Sequence, residues 1–206
     1  NYPLNSNEPE IKTMLKNHSH TLLAINCQSL LKNIDLLRLA VKELSTEFIC
    51  VNEIWSAQSI SSTIENYYEP IFKHRTTNQA GGVGIYVRNG ITFRPNLLVN
   101  QVKCKVIEHT SIDAKIDNRY VTIVSIYRKP NTSVPQTIQD LKCLLDCLSN
   151  TNQKFIIVGD MNIDLANDSC FKTQYLDVID SYYCYQSVNE FTRITSHSAT
   201  IIDHVV

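Results

Sequence analysis

A chain of 206 residues, 43% of them hydrophobic and 19% charged, can close one domain around a sizeable core and has an ordinary globular balance. No apolar run approaches the roughly 20 residues of a membrane span. The net charge of -1 argues against a broad cationic clamp for nucleic acid, whose affinity comes largely from phosphate neutralisation.

Residues 1–20 are polar with scattered charge and read as a leader ahead of one domain over 21–206. Thr21–Ile25 is a first strand. Leu30, Ile34, Leu37, Val41 and Leu44 follow at spacings of three and four, which place them on one helix face. Phe48–Val51 is a short buried strand. Gly82–Val87 and Tyr120–Ile126 are further strands, the second rich in β-branched residues. Val134, Ile138, Leu141, Leu145 and Leu148 mark a second amphipathic helix, with Ser133 as N-cap and Pro135 in the first turn, where proline is tolerated. Phe155–Val158 is another strand, and Phe171, Tyr175, Val178 and Tyr182 form a third helical face. Strands and helices that alternate, with apolar runs this short, predict an α/β layered fold.

The seven cysteines are odd in number and dispersed, with no CxxC pair. They read as small buried thiols rather than as zinc ligands. Gly81, Gly82 and Gly84 do not open a helix after a strand, so they mark strand entry rather than a dinucleotide site. No Gly-x-Ser-x-Gly elbow supports a serine hydrolase. Lys73, His74, Arg75, Arg88 and Arg94 are scattered cations that fit a solvated face, with contact to a DNA backbone as the alternative.

Four apolar runs stop at polar groups. The first ends at Asn26, the second at Asn52-Glu53, the Tyr120–Ile126 strand at Tyr127 and the Phe155–Val158 strand at Gly159-Asp160-Met161-Asn162. Taken singly, each is a turn or surface residue. Together they point to one sheet rim, where α/β proteins commonly place their sites. The set suits phosphodiester hydrolysis. Mg²⁺, or Mn²⁺ in its place, takes one or two protein carboxylates with waters and phosphate, and Glu53 fits that role, with Asn26 beside it. Asp160 is placed to align or deprotonate a water. Asn162 supplies a neutral amide, and the Tyr127 phenol a donor to phosphate oxygen.

These phrases resemble the endonuclease/exonuclease/phosphatase superfamily. Ile25-Asn26-Cys27-Gln28-Ser29-Leu30 is similar to its first motif, and Asn52-Glu53-Ile54-Trp55 to its Glu-Thr-Trp motif. Ile126-Tyr127-Arg128-Lys129-Pro130 resembles its Tyr-Arg-x-Pro phrase and Gly159-Asp160-Met161-Asn162 its Gly-Asp-Phe-Asn motif. Gly81-Gly82-Val83-Gly84-Ile85-Tyr86, Phe191-Thr192-Arg193 and Ser198–His204 resemble phrases of the non-LTR retrotransposon branch. The resemblance covers about Leu22 to Val206. It implies two mixed β-sheets flanked by helices, in a nuclear, Mg²⁺-dependent enzyme. That enzyme would nick one strand of double-stranded DNA to prime reverse transcription and would be joined to a reverse transcriptase. It also implies that Arg128, Thr192 and Thr200 lie on the DNA side, and that Asp203 orients a catalytic histidine.

One departure bears on activity. The family carries that histidine in a Ser-Asp-His strand, and the 206 residues hold no such phrase. His204, adjacent to Asp203 on a strand, points to the opposite face, and His197 reads as a loop residue. The expectation is a domain lacking its last strand, with a sheet edge exposed. Two alternatives stay open: a degenerate, non-catalytic nucleic-acid-binding module and an abasic-site repair nuclease.

Overall fold

Strand β2 (Phe48–Asn52) shows why the apolar runs carry no polar alternation. All five residues are buried. Phe48 and Cys50 face a second sheet and pack with Ile112, Ile123 and Val158. Ile49 and Val51 face the other way and pack under Leu30, Leu37 and Val41 of a helix. A strand apolar on both faces is the middle layer of a sandwich.

The computed structural model describes residues 20–55, 62–73 and 80–206. The leader, apart from His20, lies outside these residues, as do His74 and Arg75. The first sheet has the order β1-β2-β4-β3, from β1 (Leu22–Asn26), β2, β4 (Val83–Val87) and β3 (Ile71–Lys73). The second has the order β11-β8-β7-β6-β5, from β11 (Asp203–Val205), β8 (Lys154–Asp160), β7 (Arg119–Arg128), β6 (Ile107–Ile116) and β5 (Phe93–Pro95). Strands β1 and β2 are parallel, as are β7 and β8, so the carboxyl ends of each pair emerge on one side. A small hairpin, β9 (Arg193–Ile194) and β10 (Ala199–Thr200), stands outside both sheets.

Helix α1 (Leu30–Leu44) covers the first sheet and ends where Ser45 turns left-handed and donates its N–H to Val41 O. Helices α3 (Val134–Ser149) and α4 (Cys170–Ser181) cover the second sheet, with Leu141, Leu144, Leu145, Leu148, Tyr175, Val178 and Ile179 buried against it. The Ser133 and Ser169 side chains cap them, as the cap position favours. The short helix α2 (Leu97–Asn100) lies against β6.

The two mixed sheets with flanking helices agree with the expected fold. The strand edge expected to be open is engaged: Ser187 N donates to Val205 O at 2.9 Å and Val205 N to Gln186 Oε1 at 3.1 Å. Among the described residues no helix is long and apolar enough to cross a membrane.

Candidate active site

The carboxyl ends of β1, β2, β7 and β8 meet at one rim. Asn26 and Asn52 are register partners at the ends of β1 and β2, and Tyr127 and Asp160 at the ends of β7 and β8. The two sheets are joined there by one buried amide. Asn52 Nδ2 donates to Ile126 O at 2.8 Å, and its Oδ1 accepts from Asp160 N at 3.3 Å. Gly159 makes this approach possible. Its φ of +147° suits glycine, and a Cβ there would sit 1.9 Å from Ile126 O and 3.0 Å from Asn52 Oδ1.

Above this bridge the carboxylates converge. Asn26 Nδ2 donates to Glu53 Oε1 at 2.8 Å and to Asp160 Oδ2 at 2.9 Å, so a single amide spans acids from both sheets. Its Oδ1 accepts from Gln28 N at 3.2 Å. The other Glu53 oxygen, Oε2, accepts from Trp55 Nε1 at 3.0 Å. Asp160 Oδ1 accepts from Asn162 N at 2.9 Å, and the Asn162 side chain donates to Arg128 O at 2.8 Å. Gln28, Ser29, Glu53, Trp55 and Asn162 all have positive φ. Such a cluster of sparsely populated conformations characterises functional rims held by their surroundings.

Burial and like charge shape the ionisation. Asp160 is pushed up to about 6, first by burial and then by the Asp203 carboxylate. Asp203 is its antiparallel register partner and is itself raised by burial. Tyr127 is held well above the usual phenol range by burial and by the charges of Glu53 and Asp160, so its hydroxyl remains a donor.

The expected residues Asn26, Glu53, Tyr127, Asp160, Asn162 and Asp203 therefore gather at one rim. Arg128 does not. Strand β7 runs through Tyr127 to Arg128, and the alternation that turns Tyr127 to the rim turns Arg128 to the helices. The residue is 3% exposed, and its guanidinium donates to Thr137 Oγ1, Met161 O, Asn162 O and Thr132 O and stacks 4.7 Å over Phe171. It braces the loop after β8 and does not stand with the rim residues. The Thr192 hydroxyl accepts from Ile202 N and Asp203 N, both at 3.1 Å, and so fixes the approach to Asp203. Thr200 pairs with Arg193 in the hairpin. Arg88 and Arg94 lie beside Glu47 and Asp113, as structural surface cations.

His204 points away, buried, with Nδ1 at 3.0 Å from Tyr175 Oη and Nε2 at 3.0 Å from Ile163 O. Burial lowers it to about 4. His197 is exposed near the hairpin turn. Among the described residues no histidine stands at the rim.

Sequence reasoning named Asn52 and Gly159 only as members of strand-end phrases, with no role of their own, and did not single out Glu108. The first two had a signal: a polar residue ending an otherwise apolar strand, and a glycine inside one. Glu108, opposite Tyr127 in register, had none.

The donor set fits a small hard cation. One or two carboxylates with an amide, open to water and phosphate, are what Mg²⁺ accepts. Among the described residues no three of His, Cys, Asp and Glu are grouped as ligands for one ion, so a closed zinc-type centre does not fit. A cavity of about 560 Å³ lined by Leu165, Lys172, Leu176, Val188, Phe191 and Ile201 includes none of the rim groups.

Residues 23–206 match the model of the endonuclease/exonuclease/phosphatase family. No curated protein matches the chain. Among solved structures, the endonuclease domain of TRAS1, a telomere-specific non-LTR retrotransposon, is 13% identical, with a TM-score of 0.67, and the match covers 90% of this chain and 84% of that one. The AP endonuclease LMAP of Leishmania major is 14% identical, with a TM-score of 0.62 and coverage of 90% and 78%. The APE2 catalytic domain of Xenopus laevis is 15% identical, with a TM-score of 0.60 and coverage of 89% and 81%. At these identities the likeness is one of fold.

Proposed function

The chain belongs to the endonuclease/exonuclease/phosphatase family, and from that premise we propose that it is a divalent-metal-dependent endonuclease that nicks one strand of double-stranded DNA. The observation that carries the reading is the single Asn26 amide bridging Glu53 and Asp160, which draws acids from both sheets to one point. Glu53, with Asn26 beside it, would hold Mg²⁺ or Mn²⁺. The bound cation would offset charge on the phosphate and the leaving oxygen.

The chain's own groups do the rest. Asp160, raised to about 6, is close to the range in which a carboxylate accepts a proton from water at neutral pH. Asn162, fixed by Arg128 O, keeps that carboxylate aimed. Tyr127, kept neutral, donates to a phosphate oxygen. Asp203 raises Asp160 by its charge. The likeness to the TRAS1 domain supports the integration step of a non-LTR element as the setting. A nuclear location and linkage to a reverse transcriptase belong to the same proposal.

One observation favours a second reading: no described histidine stands at the rim. A binding module without cleavage would bind DNA with strong salt dependence and leave it intact. Single-turnover relaxation of supercoiled plasmid in Mg²⁺ separates the two. Nicking that disappears in Glu53→Ala and Asp160→Asn supports the enzyme. DNA binding with no nicking by the wild type sinks it in favour of the module. Preference for an abasic duplex over an intact one would move the substrate to damaged DNA.

A further inference from the structure

Glu53 is the carboxylate on which the proposed chemistry turns, yet little around it is rigid by burial. Its backbone is left-handed, with φ 53°, and Trp55 beside it has φ 49°. Non-glycine residues keep such conformations only where several contacts over-determine them. Two of those contacts come from α1: Ser29 N donates to Glu53 O at 2.9 Å and Leu30 N to Ile54 O at 3.2 Å. A third comes from across the loop, where Trp55 N donates to Gly81 O at 3.0 Å. Trp55 is 39% exposed, so packing alone does not orient the indole that holds Glu53 Oε2. The docking of residues 53–55 onto Gly81 does.

The Gly81-Gly82 turn is itself anchored to the opposite sheet. Gly82 N donates to Glu108 Oε2 at 2.6 Å. Gly82 has φ +89°, and a Cβ there would lie 2.4 Å from Ile54 Cγ1, so glycine lets the turn seat against the residue between Glu53 and Trp55. Glu108 sits on β6 opposite Tyr127. A continuous path results: Glu108 to Gly82, Gly81 to Trp55, Trp55 to Glu53.

We propose that Glu108 is a positioning residue: by anchoring the Gly81-Gly82 turn it holds Trp55, and through Trp55 it fixes the orientation of the Glu53 carboxylate. The proposal rests on the reading of Glu53 as the cation's ligand. Glu108 acts through the Gly81-Gly82 turn. It accepts a backbone N–H and so ties the metal carboxylate to the sheet that carries Tyr127 and Asp160.

Trp55 is the chain's single tryptophan, so fluorescence excited at the red edge of indole absorption, where the tyrosines do not absorb, reports this loop alone. The test compares wild type, Glu108→Ala, Glu108→Gln and Trp55→Phe. In metal-free protein, Glu108→Ala shifts Trp55 emission to the red and raises its quenching by acrylamide. Glu108→Gln restores both, because the Gln amide oxygen still accepts from Gly82 N. Mn²⁺ affinity, read from the electron paramagnetic resonance of free Mn²⁺, falls about tenfold in Glu108→Ala and in Trp55→Phe, the usual scale for groups that orient a metal ligand. Glu108→Gln recovers it. Wild-type emission, quenching and affinity in Glu108→Ala would overturn the proposal, as would a Gln variant that behaves like Ala. If Glu108→Ala does not fold, Trp55→Phe at its exposed position decides, and unchanged Mn²⁺ affinity there is the overturning result. If the wild type binds no Mn²⁺, the nuclease reading fails, while the metal-free comparison of Ala with Gln still decides the brace.

Discussion

Replacing Asn52 with leucine separates the bridging amide's hydrogen bonds from its volume. Leucine is close in size and occupies the same gap, so it opens no large cavity and its methyls keep water out. What disappears is a 2.8 Å bond to Ile126 O and a 3.3 Å bond from Asp160 N. Residue 126 is 1% exposed and residue 160 is 3% exposed, so neither orphaned group can turn to solvent. A buried polar group stripped of its partner costs about 1–3 kcal/mol. The carbonyl, with a second lone pair, tolerates the loss better than the N–H. The sum is about 2–4 kcal/mol, or a fall of about 4–16 °C in melting temperature for a chain of this size. The orphaned N–H belongs to Asp160, so activity also suffers: a displacement of about 1 Å in a catalytic group costs on the order of 100-fold in rate. Calorimetry and plasmid nicking are run on the same preparation. An Asn52→Leu protein that melts within about 2 °C of wild type would refute the claim that this amide joins the sheets.

Asp160→Asn should stabilise the metal-free chain and abolish nicking. The folded-state pKa is raised from the ordinary 3.8 to about 6, so the protonated carboxyl contributes stability that is full below 3.8 and lost as pH rises through about 6. The asparagine variant should flatten that slope and gain about 3 kcal/mol at neutral pH, and a pH series of melts identical to wild type refutes it. Mg²⁺ or Mn²⁺ should raise the melting temperature by an amount worth about 2.7 kcal/mol at 100 times Kd, and Glu53→Gln should remove most of that gain; an equal gain in both proteins rules out Glu53 as ligand. Arg128→Ala should lose about 2–4 kcal/mol, since it leaves buried partners unpaired, while the salt dependence of DNA binding stays as in wild type. A drop of about one in the log–log salt slope would put Arg128 back against phosphate.

Much of the rim was legible because strands carry their message at their ends. Asn26, Glu53, Tyr127 and Asp160 each follow an apolar run, and parallel pairing of β1 with β2 and of β7 with β8 brings those ends to one side. Strand β6 was not legible. Ile107–Ile116 holds Glu108, His109, Thr110, Ser111 and Asp113, a polar pattern that reads as loop. It is an interior strand because several of these groups find internal partners: His109 Nε2 meets Val99 O, Ser111 meets Asn100, and Asp113 accepts from Asn96 and Thr122. Those partners come largely from Asn96 and α2, which no apolar period announces. The inward course of Arg128 was hidden for a related reason. Its motif neighbours are rim residues, and only the extent of β7 through residue 128 reveals that it faces the helices.

The way the rim is held bears on what it can bind. Glu53, Asp160 and Asp203 lie close enough for like charge to raise Asp160, and the bonds that fix their carboxylates come from neutral donors: the Asn26 amide, the Trp55 indole, the Thr192 hydroxyl and the Asn162 backbone N–H. The nearest buried cation, Arg128, is turned to the helices and engaged by carbonyls and a hydroxyl. Neutral donors fix Glu53 and Asp160 without cancelling their charge, and the Arg193 guanidinium eases Asp203, so much of the negative field is left for an incoming ion. A monovalent side chain would neutralise one acid at a cost in side-chain entropy and solvation, whereas a small divalent ion can answer two at once and still leave positions for water and phosphate. On the proposed reading, the arrangement that makes the bare rim costly to fold would be the one that favours a hard divalent cation, and Asn52, whose amide ties the two sheets together beneath the carboxylates, would serve the same end.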